Sequence, residues 1–520
     1  MKWTCRLLVC CLIGMAPVFA GFNESIPSWH WSYKAIERLQ SQGVLLELNV
    51  MQKPYIRREV AASISNLSAQ LKSGAVVLCR ADQGLVERLK KEFTAALQQN
   101  AGSASLPIDL GLMLQNDYDQ PVEGDGGYRG VYRGRAVVDY QDWLTVHNET
   151  VLDRYAYEDS MYTGKAWAGT AGYANQGYAR IYKKPFNITI GRDELQWGVG
   201  RSGTLFLSGA AQSLNQLRAG FTWKNLNYGF VAAQLDRMDY VAEESVVHQG
   251  ARRYLGAHRL ELSLKENRVR FAISEALLYS GLYQEINWTY MNPFIPYYAA
   301  QINSDKKANM FGSIDLWAMP LPALQVYGSL LIDDIQVEET GPGDLEPNEI
   351  GFIVGAAYGA LLPGFSIDAE YVKVSNRTYN TPKSYESFRF KNKPLGHPLG
   401  NDFDLLQAGM DYWMNASLWV RLEYSQVRLG EGGLYRPFDM PWMDYTVDEG
   451  YSEPFPTGIV ETQNRIKVEL KYQPSIHWGI QGFFESVARD NAFNVKGASQ
   501  SDTAWRIGFW WDGEMTISLK

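Results

Sequence analysis

The sequence has few cysteines, few charges and no long hydrophobic run. Of its 520 residues only 20% are charged and four are cysteine, while 46% are hydrophobic, so a disordered chain and a coiled coil are both excluded. Beyond the N-terminus no apolar run reaches the ~18 residues that a membrane-spanning helix needs, which excludes helical spans. The net charge of −8 argues against a nucleic-acid partner, because contact with phosphates needs a basic face.

The first residues have the pattern of a signal peptide. Two basic residues precede an apolar stretch at 7–15, and the residues at 18–20 suit a signal peptidase, so we expect cleavage after Ala20. Cleavage removes two basic residues and three cysteines, leaving a net charge of −10 and Cys79 as the one cysteine. A single thiol forms no internal disulfide, and the histidine and cysteine spacings predict no metal site. The sequence predicts no cofactor either.

Residues 21–103 carry the signals of a small helical bundle. Apolar side chains recur at spacings of three and four around Ala35–Leu39, from Arg57 to Leu71 and from Asp82 to about Gln98, which is typical of amphipathic helices. Gly43 is placed to end the first helix. Because the bundle directly follows the signal peptide, we expect it on the periplasmic side of a membrane.

From residue 104 to residue 520 the pattern changes to the period of two that is typical of strands. In the clearest case Leu260, Leu262 and Leu264 share one face, a turn follows at Glu266-Asn267, and the alternation then resumes. A soluble β-sandwich shows the same alternation with its charged face in water. We count about eighteen strand candidates, many of them nine to eleven residues long, which is typical of an outer-membrane barrel.

The abundant aromatic residues favour the barrel as well. The chain has 31 Tyr and 16 Trp, and these residue types are enriched in strands and at membrane interfaces. The sequence therefore predicts an all-β transmembrane barrel of about eighteen antiparallel strands with a small N-terminal α-helical bundle. We expect a final hairpin that closes at Asp512-Gly513.

Two local patterns invite a catalytic interpretation and do not support one. Residues 198–203 match the glycine spacing of a dinucleotide-binding loop, but the strand–turn–helix context of such loops is missing. Asp333 and Asp334 suggest the paired carboxylates of glycoside hydrolases. Adjacent strand residues point to opposite faces, so this pair cannot act together without a bulge, and a strand end entering an acidic loop at 335–350 is the simpler interpretation.

Three segments resemble the Wzi capsule-assembly family. They are the stretch Ile190–Gly200, the run from Glu275 to Phe294, and residues Pro394–Asp402, and they follow one another in the family's order. The resemblance implies an eighteen-stranded outer-membrane barrel in a Gram-negative bacterium, with a helical bundle at its periplasmic end. It also implies a lectin-like role in attaching or organising capsular or other surface polysaccharide. Outer-membrane lipid and lipopolysaccharide would be the remaining partners.

Sugar binding needs aromatic faces for stacking and fixed polar groups for hydroxyls. One candidate segment is Asn287–Asn292, and the family motifs supply others. An alternative role for the motif residues is a network in the barrel lumen that holds the wall together, and for 191–200 we favour this structural role. The residues predicted to bind polysaccharide or to form the lumen network are Arg192, Asp193, Trp197, Trp288, Tyr290, Asn292, Asp333, Asp334 and His397.

The sequence leaves three functional classes open. The first is a non-catalytic barrel that binds or organises polysaccharide. The second is an outer-membrane channel for polysaccharide export or solute diffusion, which needs an open lumen. The third is a hydrolase, which needs a catalytic constellation that no sequence motif supplies. We therefore predict a polysaccharide-binding protein that is not an enzyme.

Overall fold

The computed structural model describes residues 21–98, 106–122, 124–242, 245–302, 308–336 and 340–519. The predicted signal peptide at residues 1–20 lies outside the described residues, as does the expected boundary between the two domains near residue 103.

The N-terminal segment folds into the three predicted helices, α1 (Ser32–Ser41), α2 (Arg57–Ser73) and α3 (Arg80–Gln98). Their apolar stripes pack together, with Ile36 and Leu89 fully buried in a shared core. Helix α2 ends at Gly74, which adopts the left-handed conformation that glycine tolerates best. The prediction of a small helical bundle is therefore confirmed.

No helix within the described parts of the chain is long and apolar enough to span a membrane.

The described residues after the bundle form an antiparallel barrel whose eighteen long strands follow chain order. The strands are β1 (Leu106–Gln120), β2 (Gly127–Tyr140), β3 (Leu144–Asp153), β4 (Thr170–Lys183), β5 (Phe186–Asp193), β6 (Leu214–Trp223), β7 (Leu226–Gln234), β8 (Ser245–Leu264), β9 (Val269–Gly281), β10 (Asn309–Leu321), β11 (Leu324–Asp334), β12 (Glu349–Tyr358), β13 (Phe365–Val374), β14 (Phe403–Asn415), β15 (Leu418–Leu429), β16 (Glu461–Tyr472), β17 (Trp478–Asp490) and β18 (Ser499–Leu519).

The barrel closes where β1 pairs with β18. The register runs from Leu106 opposite Leu519 to Gln120 opposite Trp505 without interruption. The predicted hairpin at Asp512-Gly513 is therefore wrong, because these two residues lie inside one continuous strand. A full-length partner strand supplies hydrogen bonds along the whole segment, and this ladder outweighs the local turn preference of the Asp-Gly pair.

The alternation of side chains separates the two faces of the wall. Leu260 is 40% exposed on the outer face, whereas its neighbours Arg259 and Glu261 are fully buried in the lumen. Apolar side chains thus point outward and charged ones inward, which is the arrangement of a transmembrane β-barrel. The predicted fold class is confirmed.

The helical bundle covers the barrel end that carries the short turns. Arg88 donates hydrogen bonds to the carbonyl oxygens of Ala416, Gln473 and Ser475, at 2.5, 2.6 and 3.1 Å. Arg38 donates to the Gly359 carbonyl oxygen at 2.9 Å in another turn. In bacterial barrels the short turns face the periplasm and the long loops face outward. The long loops therefore lie at the opposite end from the bundle.

Candidate functional site

Two long loops turn into the barrel and fill much of its lumen. The loop at 194–213 buries Leu205 and Phe206 completely, and the loop at 375–402 buries Tyr379 and Phe388 against the same hydrophobic cluster. The Tyr379 hydroxyl donates to the Leu205 carbonyl oxygen at 2.6 Å and so links the two loops. The lumen therefore contains a packed core between the outer loops and the bundle.

Asp193 lies at the centre of a buried ionic network. Its Oδ2 accepts hydrogen bonds from Arg180 Nη2 at 3.0 Å, Arg218 Nη2 at 2.6 Å and Ser25 Oγ at 3.0 Å, and Gln176 Nε2 donates to Oδ1 at 2.8 Å. Three wall strands and the N-terminal segment meet at this carboxylate. Asp193 thus links the wall to the N-terminal segment inside the lumen.

Arg192 points to the opposite side of the strand from Asp193, as neighbouring strand residues do. Its Nε donates to Asn215 Oδ1 at 2.9 Å and its Nη1 donates to the Ala174 carbonyl oxygen at 3.1 Å. Both contacts tie it to adjacent parts of the wall. The structure therefore does not bring Arg192 and Asp193 together.

Trp197 anchors the N-terminal segment to the inward loop. Its ring is almost fully buried and stacks on Phe206 with centroids 6.5 Å apart. The strand pair formed by Gln52–Lys53 and Gln196–Trp197 joins the bundle to the loop. A Cβ atom on Gly229 would lie 2.9 Å from the Trp197 ring, so this glycine leaves room for the indole. Trp197 is thus a packing residue of the lumen.

His397 belongs to a polar latch between the two inward loops and the wall. The Ser202 hydroxyl donates to Glu370 Oε1 at 2.5 Å, and His397 Nε2 lies 3.3 Å from Ser202 Oγ. The Leu399 N–H group donates to His397 Nδ1 at 3.3 Å, so the proton of the neutral ring lies on Nε2. Burial lowers the pKa of His397 from 6.5 to about 3. The imidazole therefore donates to Ser202 and does not act as its base.

Asp333 and Asp334 lie at a β-bulge at the loop end of β11. Asp333 Oδ2 accepts a hydrogen bond from the Tyr379 N–H group at 2.6 Å, whereas Asp334 Oδ2 accepts one from Gln336 Nε2 at 3.2 Å. Asp333 therefore holds the 375–402 loop, whereas Asp334 lies at the start of the acidic loop at 335–350. The two therefore serve different partners, although the bulge changes the local register.

Trp288, Tyr290 and Asn292 belong to a loop that lies against the outer wall and not at the lumen mouth. Trp288 is 82% exposed, whereas Tyr290 is 2% exposed and presents no ring face to a ligand. Asn292 Oδ1 accepts a hydrogen bond from the Phe294 N–H group at 3.0 Å and so shapes a turn. The loop's exposed rings are separated from the lumen by the wall itself.

A cavity of about 670 Å³ lies inside the barrel between the bundle and the inward loops. Its walls come from five parts of the chain: the start of the bundle, the strand wall, the 154–169 loop, the 194–213 loop and the hairpin at 389–394. The aromatic residues of its lining are Trp29, Trp31, Tyr33, Tyr162 and Tyr173, and the charged ones are Lys34, Glu37, Lys53, Arg133, Asp159, Glu194, Lys391, Lys393 and Lys471.

Basic side chains outnumber acidic ones by six to three in this described lining. Lys391 Nζ donates to Gln212 Oε1 at 2.8 Å, and Lys393 Nζ forms an ion pair of 2.8 Å with Asp159. An ammonium group has three donors, so each lysine keeps hydrogen-bonding capacity for a ligand. The cavity is therefore locally cationic inside an acidic protein.

Two tryptophans contribute aromatic surface to the cavity. The indole N–H groups of Trp29 and Trp31 are buried and have no hydrogen-bond partner among the described residues. The Arg133 guanidinium lies 5.2 Å from the centre of the Trp29 ring. This combination of aromatic rings and cations suits hydroxyl-rich and anionic ligands.

Glu194 places a titratable group in the same cavity. Its Oε2 accepts a hydrogen bond from the Ser28 N–H group at 2.7 Å, and its Oε1 accepts one from Asn175 Nδ2 at 3.3 Å. Burial, together with the neighbouring charge of Asp193, raises the pKa of Glu194 to about 7. The charge of the lining therefore changes near neutral pH.

The sequence did not predict this cavity as a site. Its lysines and tryptophans are distant from one another in the chain and meet through the inward fold of the loops. One local signal was present, since Trp29 and Trp31 flank His30 just before the first helix. An aromatic cluster at the entrance to a helical bundle is otherwise a common packing pattern.

Comparisons with known proteins identify relatives of the chain. A family model described as capsule assembly protein Wzi matches residues 93–504. Among solved structures, Wzi from Escherichia coli, described as a carbohydrate-binding β-barrel involved in group 1 capsule assembly, is 14% identical with a TM-score of 0.60. That match covers 92% of this chain and 96% of that chain.

Two Pseudomonas aeruginosa barrels are more distant. OccD3 is 10% identical with a TM-score of 0.48, and the match covers 80% of this chain and 94% of that one. OprD is 10% identical with a TM-score of 0.45, and the match covers 80% and 96%. No curated protein sequence matches the chain.

Proposed function

The chain belongs to the Wzi capsule-assembly family, and we propose from this membership that it binds surface polysaccharide at the outer membrane of a Gram-negative bacterium without cleaving it. It reaches that membrane through a signal peptide that is cleaved after Ala20. Outer-membrane lipid and lipopolysaccharide surround the barrel, and nucleic acid is not a partner.

The cationic, aromatic cavity is the observation that carries the proposal. Trp29 and Trp31 supply ring faces, and Lys391 and Lys393 supply positive charge in the same cavity. Stacking of a sugar on such a ring contributes on the order of 1 kcal/mol beyond area burial. A polymer presents many equivalent residues, so weak contacts at several barrels hold it by avidity.

The latch at Ser202 supports a non-catalytic role. A hydrolytic serine needs a neighbouring base that accepts its proton. Here the Ser202 hydroxyl donates to Glu370, and the His397 ring donates to Ser202 through Nε2. The Glu370 carboxylate also accepts hydrogen bonds from the Arg201 and Ser202 N–H groups and from the Tyr327 hydroxyl, so it holds the inward loop against the wall.

The packed lumen favours binding over free diffusion. Phe206, Tyr379 and Phe388 form a continuous hydrophobic cluster across the described lumen, and the bundle covers the opposite end. An open channel for solutes or for an exported polymer needs a water-filled path. We therefore do not adopt the channel as a second function.

Binding of defined polysaccharides to the purified, detergent-solubilised protein tests the proposal. We expect an acidic capsular polysaccharide to bind more tightly than a neutral one, and added salt to weaken that binding. The double substitution Lys391→Ala and Lys393→Ala should weaken binding of the acidic polymer. Lys383→Ala is the matched control, because this lysine lies on the same loop outside the cavity and is half exposed beside Glu386.

Equal binding by the wild type and the double variant would show that the cavity is not the site. Shortening of the polymer during incubation would show that the protein is a hydrolase. Heat-modifiable migration on gels controls for folding of each variant, because a closed barrel keeps its compact form in detergent until it is heated.

A further inference from the structure

The outer face of the barrel has a polar interruption on β8 and β9. Leu260 and Leu262 point outward on β8, but His258 occupies the next outward position. Glu275 occupies the facing outward position on β9, and its Oε2 lies 3.2 Å from His258 Nε2. Polar groups on the lipid-facing side of a barrel wall destabilise it unless they are covered.

The loop at 282–302 covers this polar pair. The Tyr297 ring stacks on His258 with centroids 4.4 Å apart, and the Tyr297 N–H group donates to Glu275 Oε2 at 2.8 Å. Further along the loop, the Tyr228 hydroxyl of the wall donates to the Pro293 carbonyl oxygen. The loop is therefore fixed to the outside of the wall by side-chain and backbone contacts.

Gly256 allows the 282–302 loop to lie close to the outer face of the wall. It lies at an outward position of β8, and a Cβ atom there would lie 2.7 Å from the Tyr297 hydroxyl and 3.0 Å from the Tyr290 carbonyl oxygen. A larger residue would displace the loop from the wall. The outer face and the loop are thus complementary in shape as well as in polarity.

The covered region lies at the depth of the membrane. His258 precedes Leu264, the end of β8 on the short-turn side, by six residues. At about 3.4 Å per residue and a tilt of about 40°, His258 lies roughly 16 Å above that end, inside the apolar band of about 25 Å. Leu260, Leu262 and Phe271 continue the exposed apolar surface below the loop.

The outer surface of the loop is itself aromatic. Trp288 is 82% exposed and Phe294 is 85% exposed, and Tyr283 and Tyr298 are also largely exposed. Rings of this size carry a large apolar surface that water solvates poorly. Their position beside the lipid-facing leucines makes this loop surface continuous with the lipid-facing wall.

We propose that the 282–302 loop is a membrane-embedded collar whose exposed rings contact the acyl chains of outer-leaflet lipid. The loop shields the His258–Glu275 pair from lipid on its inner side and presents Trp288 and Phe294 to lipid on its outer side. Trp288 is then a lipid contact and not a sugar platform, although it belongs to the aromatic segment that the sequence suggested for sugar binding.

Tryptophan quenching in bilayers tests the collar. The full-length wild type and Trp288→Phe are reconstituted in vesicles with brominated acyl chains, and in matched vesicles without bromine. The emission of Trp288 is obtained as the difference between the two proteins. We expect most of this emission to be lost in the brominated vesicles and to resist iodide added to the water.

Trp167 provides the matched control. It is largely exposed at the tip of a hairpin among the long loops, so the emission lost in Trp167→Phe should be quenched by iodide and not by brominated lipid. Quenching of Trp288 by iodide would overturn the proposal, because it would place the loop in water. Protection of Trp288 from both quenchers would also overturn it, because another protein surface would then cover the ring.

Discussion

Replacing Asp193 by Asn removes the negative charge that holds Arg180 and Arg218 together in the lumen. The Asp193 carboxylate and the Arg180 side chain are both fully buried. The substitution therefore leaves the positive charges of Arg180 and Arg218 without their anionic partner. Breaking a buried ion pair by removing one partner costs about 3–5 kcal/mol. Arg180 keeps hydrogen bonds to Thr189 and to the Asn23 carbonyl oxygen, so we expect the lower end, about 3 kcal/mol.

The consequence should appear first where the network holds the N-terminal segment. Asp193 accepts a hydrogen bond from Ser25, so weakening the network releases the chain that enters the barrel. A cost of about 3 kcal/mol corresponds to roughly hundredfold faster amide exchange of residues near Ser25. Asp334→Asn is the control, because this carboxylate accepts a hydrogen bond from Gln336 at the loop end of β11 and is not part of the Asp193 network. Unchanged exchange in Asp193→Asn would refute the assigned role of the network.

Three further predictions concern the bundle, the cavity and the collar. Arg88→Ala removes three hydrogen bonds to turn carbonyls and should cost about 2 kcal/mol, seen as faster proteolysis of residues 21–98. Because the pKa of Glu194 is about 7, the carboxylate becomes neutral below that pH, and acidic polysaccharide should bind roughly fivefold more tightly at pH 6 than at pH 8. Gly256→Leu should displace the 282–302 loop and increase iodide quenching of Trp288.

Each of these predictions has a result that would contradict it. Lys90→Ala is the control, because Lys90 lies on the same helix and forms an exposed ion pair with Glu87. Equal protease resistance in Arg88→Ala and Lys90→Ala would mean that the turn contacts do not hold the bundle. Glu194→Gln should bind the acidic polymer equally at pH 6 and pH 8, and a persistent pH dependence would assign the effect to another group. Unchanged quenching in Gly256→Leu would mean that the wall tolerates a side chain beneath the loop.

The alternation of residues predicted the strands well because one face of the barrel wall contacts lipid and the other faces the lumen. Outward leucines such as Leu260 and Leu262 meet lipid and inward charges such as Arg259 and Glu261 meet the lumen, so the period of two is visible in the sequence. The predicted final hairpin is wrong, since pairing with a distant strand overrides the local turn preference of Asp512-Gly513.

The sites depend on contacts between distant parts of the chain, which periodicity does not report. The cavity joins Trp29 to Lys391 and Lys393 through two loops whose inward path has no local signature. The position of the Trp288 loop on the outer wall, in contrast, has a signal in the amino-acid sequence. His258 and Glu275 interrupt the outward apolar runs that Leu260 and Leu262 form on β8 and that Phe271 and Ile273 form on β9, and such an interruption predicts a covering segment.

Capsule retention on living cells tests the central claim that the lumen cavity binds polysaccharide without cleaving it. Cells that carry the Lys391→Ala and Lys393→Ala variant in place of the wild type should hold less capsular polymer, while polymer of unchanged length accumulates in the medium. Cells with Lys383→Ala should retain capsule as the wild type does. Full cell-bound capsule in the cavity variant or in a strain without the protein, or shortened polymer in the medium, would contradict the account.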